Sequence, residues 1–153
     1  MSEDQAIRDK VEEKGKVFEK FGLTPMQGRI VAYFTLADTP EKTFEEVVTF
    51  FNSSKSSVSN SLNYLLQYRI IDYRTYAARR KRYFYLTDGF VRIYMEKVLK
   101  DIQELKDNAI STVTLRTPGY PEVSERILKW VENANILEES LVRILSEINE
   151  ESL

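Results

Sequence analysis

Three helix starts follow one another between residues 24 and 54, and their spacing restricts the centre of the chain to short helices joined by tight turns. Thr24-Pro25-Met26-Gln27 combines an N-cap threonine, proline at the first helical position and glutamine at the third. Met26, Ile30, Val31, Phe34 and Ala37 then make a core face, and Asp38-Thr39-Pro40-Glu41 ends the helix. Gly28 inside it costs about 1 kcal/mol relative to alanine, which a close helix contact would justify. Thr43-Phe44-Glu45-Glu46 is a second capping box, opening a helix through Phe50-Phe51 with Phe44, Val47, Val48 and Phe51 as its apolar residues. Glu45 and Glu46 do not read as a catalytic pair. Adjacent helical residues diverge by about 100°, whereas two acids in a first turn compensate the helix dipole.

Asn52-Ser53 makes the next turn, and Ser54 caps a helix running from Lys55 to about Tyr68. Val58, Ser61, Leu62 and Leu65 share one face at three-four spacing, with small Ser61 allowing close approach to the preceding helix. Ser56, Asn60 and Asn63 lie opposite, with Ser57 and Ser59 at the flanks. An ordinary solvated face would carry Glu, Lys and Gln, which are better helix formers than Ser and Asn. Short hydrogen-bonding side chains suit a helix that enters a DNA major groove, where Asn can pair with adenine.

Ile70 to Tyr76 and Arg82 to Thr87 are β-branched and aromatic runs suited to strands. They flank Ala77 to Lys81, which predicts a hairpin with Arg79-Arg80-Lys81-Arg82 at its tip. The aromatics could be stacking platforms for single-stranded nucleic acid, but most are expected to pack the sheet on the helices, because alternation sends about half of them inward. Charge separates along the chain. Residues 53 to 82 hold seven basic residues against Asp72 alone, net +6 on a chain of net −2, so the remainder carries −8. A basic patch on an acidic body is an electrostatic footprint for a polyanion.

The flanks read as helices. Residues 4 to 20 carry a thin stripe of Ile7, Val11 and Phe18, interrupted at Lys14-Gly15, and suit a surface helix or part of a dimer interface. A long helix is expected from Asp88 to about Thr112, with Val91, Tyr94, Val98, Ile102, Leu105 and Ala109 along one stripe. Leu115 to Pro121 is the clearest break. Pro121-Glu122 starts another helix with Val123, Ile127, Trp130 and Val131, and a weak point at Asn133-Ala134-Asn135 precedes a last one. That last helix carries Leu137, Leu141, Ile144, Leu145 and Ile148. Only a strip of each such helix can be covered within so small a protein, and a second subunit is the economical way to bury the rest.

The 153-residue chain has no cysteine and no histidine, which excludes disulfides, thiolate nucleophiles, the usual Cys/His zinc sites and Ser-His catalysis. No enzyme activity and no cofactor are expected. No run approaches the 18 apolar residues of a membrane span, and Met1-Ser2-Glu3-Asp4 is unlike a signal peptide, so a cytoplasmic protein without a membrane partner is expected.

The order of helices, basic hairpin and long terminal helices resembles the MarR-type winged helix-turn-helix transcription regulators, and within them the GbsR-like branch. The residues that carry this are Gly22-Leu23-Thr24-Pro25, Gly28-Arg29-Ile30 and Ser54-Lys55-Ser56-Ser57-Val58-Ser59 with Leu62 and Leu65, then Arg80-Lys81 with Tyr83-Phe84. They span Phe21 to Thr87; the terminal helices match in placement only. Arg69 stands where the family usually has glycine, and the wing lacks its common glycine before the basic residues. The resemblance implies a mainly α fold with a small β-hairpin wing. Residues 1–22 and 88–153 would dimerise, and residues 23–87 would bind DNA.

It further implies a homodimer on a pseudo-palindromic operator in double-stranded DNA, with two recognition helices in successive major grooves about 34 Å apart. Ser56, Asn60 and Asn63 would reach base edges, and Lys55, Ser57 and Ser59 would sit nearer phosphates. Arg79, Arg80, Lys81 and Arg82 would hold the backbone or the adjacent minor groove. A small-molecule effector is implied as well. Choline is sensed in the GbsR-like branch, and a quaternary ammonium needs an aromatic cage. Tyr94, Tyr120 and Trp130 are available, but aromatics at helical spacing more often belong to a core, and no ligand residues are assigned. A winged helix that presents its basic hairpin to an acidic protein partner is the alternative.

Overall fold

A computed structural model describes residues 3–77 and 79–151. Ala78, at the expected hairpin tip, lies outside them, as do residues 1, 2, 152 and 153 of the terminal segments. The chain divides into two compact units, one ending at Phe90 and the other beginning at Val91.

The first unit opens with α1 (Glu3–Glu19), which crosses α2 (Pro25–Leu36). No break occurs at Lys14-Gly15, contrary to expectation; α1 runs straight through. Glycine weakens a helix by only about 1 kcal/mol, and here tertiary contact outweighs it. A Cβ on Gly28 would stand 2.7 Å from the Gly15 carbonyl oxygen, and one on Gly15 would meet the Arg29 backbone at 3.1 Å. The two glycines let the helices touch backbone to backbone. Beside them the Arg29 guanidinium binds both oxygens of Glu12, one at 2.6 Å, and lies 3.7 Å from Glu19.

Thr24 caps α2 and Thr43 caps α3 (Phe44–Phe51), each in a full reciprocal capping box. Ser54 caps α4 (Lys55–Gln67) through the Ser57 amide. Asn52 makes the α3–α4 turn in the left-handed conformation, which asparagine tolerates. The core gathers Val11, Ile30, Val31, Val47, Val58, Leu62, Leu65, Ile70, Ile71 and Phe84, all almost fully buried. Of the face assigned to α2, Ile30, Val31 and Phe34 are buried, and Met26 and Ala37 are half-buried.

The sheet departs from the expected two-stranded hairpin. Glu41–Thr43 forms an additional strand, β1, so β2 (Ile71–Tyr76) and β3 (Arg79–Leu86) belong to an antiparallel sheet of order β1-β3-β2. A three-residue strand has no periodicity to detect; it exists because β3 offers it an edge. The second departure concerns the basic cluster. Arg79 to Arg82 lie in the first half of β3, not on a free loop. Thr75 pairs with Arg82 but Tyr76 pairs with Arg79, so Arg80 and Lys81 bulge out opposite that step.

At the end of α4, Arg69 takes the left-handed conformation (φ 54°), and the Ile70 amide closes back on the Leu65 carbonyl at 2.9 Å. The glycine missing from this position therefore changes the residue but not the turn. The Arg69 carbonyl accepts from the Thr87 hydroxyl and packs so near Gly89 that no Cβ fits there. This contact pins the foot of β3 to the end of α4.

The second unit holds α5 (Gly89–Leu115) from Val91 onward and α6 (Pro121–Glu151). The two run antiparallel: Gln103 and Lys106 bind Glu138, and Arg116 reaches Ser124 at 3.3 Å. The expected break at Asn133-Ala134-Asn135 is absent, and α6 is one helix. Asparagine costs a helix interior only tenths of a kcal/mol, unlike proline. Ala109, Ile127 and Leu141 are buried, while Leu105, Leu115, Trp130 and Ile136 are between 59 and 84% exposed.

The Gly15/Gly28 crossing yields a stability prediction. Gly28→Ala should lower stability by about 1–3 kcal/mol despite its better helix propensity, because its methyl meets backbone. Gly119→Ala, with nothing within 4 Å of the added atom, should stay near wild type. Urea melts of both variants check this.

Candidate nucleic-acid interface

The helix faces of α4 are divided as its spacing predicts. Val58, Ser61, Leu62 and Leu65 are buried, and Lys55, Ser56, Asn60 and Asn63 are exposed. Ser57 and Ser59 are half-buried at the flanks. Burial of the apolar stripe leaves the Ser/Asn stripe no orientation except outward, so the helix packs and presents at once.

Beside α4, the antiparallel register sends Ile71, Tyr73 and Thr75 of β2, with Leu86, Phe84 and Arg82 of β3, toward one side of the sheet. Ile71 and Phe84 are buried there. Asp72, Arg74, Tyr83 and Tyr85 occupy the opposite side together with Glu41 of β1. An open groove of about 300 Å³ separates α4 from the wing. Ser59, Leu62 and Asn63 line one wall, Arg80, Lys81, Arg82 and Phe84 the other, and Phe44 and Glu45 of α3 its end. Two of the residues expected on the recognition face thus share a surface with three of the expected wing residues.

The wing cations differ in what they touch. Arg82 stacks over the Tyr73 ring, 4.7 Å from its centroid, and Arg79 donates to the Tyr83 hydroxyl at 3.2 Å. Lys81 lies 3.8 Å from Glu45. Arg80 forms no ion pair among the described residues. Arg74, which sequence reading counted in the basic patch but gave no role, lies over the Tyr85 ring at 4.5 Å and 3.5 Å from Glu41. Glu41 also accepts from the Tyr76 hydroxyl at 2.7 Å. Neither Glu41 nor Glu45 was singled out as a wing contact. Their partners are distant in sequence, and only the sheet brings them together.

No helix among the described residues is long and apolar enough to cross a membrane, and none of their acidic groups cluster as a metal site would require. Tyr94, Tyr120 and Trp130, named for an ammonium cage, are all exposed, at 39, 68 and 62%.

No protein-family model matches the chain. It is 27% identical over 129 residues to the HTH-type transcriptional regulator MmpR5 of Mycobacterium tuberculosis, covering 83% of this chain and 77% of that one. A crystal structure of a transcriptional regulator superposes with a TM-score of 0.62 at 23% identity, covering 95% of this chain and 99% of that chain. The chain is a winged helix-turn-helix protein. MepR, a transcription regulator of the Staphylococcus aureus multidrug efflux pump MepA, aligns with a TM-score of 0.44 at 19% identity, over 84% of this chain and 90% of that one.

The α3 cap carries a pH signature. The Thr43 amide donates to Glu46 at 2.6 Å, and this bond, aided by the Thr43 hydroxyl, holds the Glu46 carboxyl below its ordinary value of 4.5. A carboxyl depressed in the folded state stabilises fully above its unfolded value, and that contribution is lost as pH falls through the folded one. The urea midpoint should therefore drop on acidification from neutral to about pH 3. Glu46→Gln, which can still complete the capping box, should show a smaller drop.

Proposed function

We propose that the chain is a MarR-like transcriptional regulator that binds duplex DNA as a homodimer. The observation that carries this reading is the groove in which Ser59 and Asn63 of α4 face Arg80, Lys81 and Arg82 of the wing. A face of short polar side chains able to read bases and a strand of cations able to hold phosphates meet on one surface. The relative named as an HTH-type transcriptional regulator, aligned over most of the chain, supports the same reading.

In this reading α4 enters the major groove. Ser56, Asn60 and Asn63 reach base edges, Lys55, Ser57 and Ser59 lie nearer phosphates, and Arg79 to Arg82 hold the backbone. Residues 23–87 are the DNA-binding domain. The helices in 1–22 and 88–153 dimerise and set two copies of α4 on a pseudo-palindromic site about 34 Å apart. The apolar side chains left exposed on α5 and α6, among them Leu105, Leu128, Ile136 and Val142, support a second subunit as their cover. Placement in the GbsR-like branch, and with it a quaternary ammonium effector, rests on the motifs at Gly22 to Pro25 and Ser54 to Ser59.

Selection of bound sequences from random duplexes tests the whole, since it returns the site, its symmetry and its half-site spacing together. Against the selected site, Asn60→Ala should cost about 1–3 kcal/mol and relax the preference at one position. Arg80→Ala should weaken every sequence alike and flatten the salt dependence by about one unit. Binding untouched by both substitutions would remove this face from the interface. Sedimentation at micromolar concentration should give a dimer, and a monomer there would contradict the palindromic arrangement.

A further inference from the structure

Two carboxylates in the first unit meet cations of the sheet, and they differ in where they lie. Glu41, on β1, accepts from the Tyr76 hydroxyl with one oxygen and lies 3.5 Å from Arg74 with the other. Glu45, in the first turn of α3, lies 3.8 Å from Lys81 inside the groove that Ser59, Asn63 and Arg80 line. The paired cations have side chains 58% exposed in both cases; that of Glu45 is 62% exposed, whereas that of Glu41 is only 18% exposed. An exposed pair such as Lys81–Glu45 contributes roughly 0–1 kcal/mol to folding. Glu45 is also not the capping residue of its helix, a role Glu46 fills.

The effect of Glu45 falls instead on anything that must reach Lys81, since Arg74 and Glu41 lie on the side of the sheet away from the groove. A phosphate bound by a free cation releases a condensed counterion, and each such contact adds about 0.9 to the slope of log affinity against log salt. A cation already paired with a carboxylate has to exchange one anion for another. It contributes little to that slope. Arg79 and Arg82 differ, because their partners are a neutral tyrosine hydroxyl and an aromatic ring, and Arg80 has no ion pair among the described residues.

We propose that Glu45 is a built-in counterion of the wing, holding a cation, Lys81, that a DNA phosphate would otherwise take in full. It acts as a positioning residue that subtracts from the sequence-independent part of duplex binding and leaves the base-facing side of α4 untouched. Of the four cations set on the backbone in the reading above, Lys81 is then partly cancelled, and Arg79, Arg80 and Arg82 carry most of the phosphate contact. Lower non-specific attraction makes sequence preference depend more on Ser56, Asn60 and Asn63. The inference rests on the duplex-binding reading above.

The test is a salt titration of binding to a selected site and to a scrambled duplex, for the wild-type chain and the variant Glu45→Gln. The substitution should steepen the salt slope by about 0.9 per protomer engaged. It should tighten binding at low salt by roughly tenfold per protomer engaged, equally on both duplexes, with affinities converging near 1 M salt. Between 50 and 200 mM salt the variant should lose roughly three- to fourfold more affinity than wild type for each protomer engaged. Glu104→Gln, which breaks the surface pair with Lys100 at 3.9 Å in the second unit, is the control and should leave the slope unchanged. Circular dichroism melts confirm that the variants fold.

A slope equal to wild type in Glu45→Gln overturns the inference, as does a matching change in the control. A Glu45→Gln variant that loses preference at one base position without a change in slope overturns it too, because Glu45 would then be accepting from a base. Wild-type protein that binds neither duplex in a salt-dependent way sinks the duplex-binding reading itself, a separate failure.

Discussion

The rest of the molecule depends on burial of one side of α4. Val58 and Leu65 are 0% exposed and Leu62 only 2%. Each side chain of this kind is worth about 1.5–3 kcal/mol when taken fully out of water. A turn of the helix by one residue would carry Asn63 or Ser59 into the space these residues fill and leave their polar groups unsatisfied there. The outward face is therefore fixed by what the inward face must do. Helix propensity plays a smaller part: the serines and asparagines of α4 are modest formers, and packing holds the helix regardless.

Two further contacts turn this helix into one wall of a defined groove. The glycine crossing of α1 and α2 brings the helices to backbone contact, with the Glu12–Arg29 pair beside it. The Arg69 carbonyl, gripped by Thr87 and walled by Gly89, ties the end of α4 to the foot of β3. Arg69 occupies a left-handed turn that costs a non-glycine residue roughly 1–2 kcal/mol. The bonds from Thr87 and the closure by Ile70 outweigh it. The wing consequently rises from the end of α4 at a fixed point, and Arg80 to Arg82 stand across from Ser59 and Asn63 for that reason.

How far this was legible in advance differs by element. The capped starts at Thr24, Thr43 and Ser54 were readable because a cap is a local hydrogen bond whose donor and acceptor lie within three residues. The buried stripe of α4 was readable because three-four periodicity follows from helix geometry alone. Four expectations failed, and each failed where distant contact decides. Lys14-Gly15 and Asn133-Ala134-Asn135 looked like interruptions, but weak local preferences yield to the packing of long helices. β1 and the strand start at Arg79 depend on pairing across β3, which no local pattern encodes. Glu41 and Glu45 escaped notice as neighbours of the wing for the same reason.

The sequence by itself determined where the capped helices α2, α3 and α4 start, which side of α4 is apolar, and that positive charge collects between residues 53 and 82. These are properties of residues a few positions apart, and covalent geometry delivers them without reference to the rest of the chain. Only the tertiary structure decided where that charge points and what meets it. Sheet register placed Arg80 and Lys81 in a bulge beside α4, gave Arg82 a ring and Lys81 a carboxylate, and added a strand that carries Glu41 to Arg74. Those outcomes turn on contacts between residues far apart in the chain, which exist only once the core has closed.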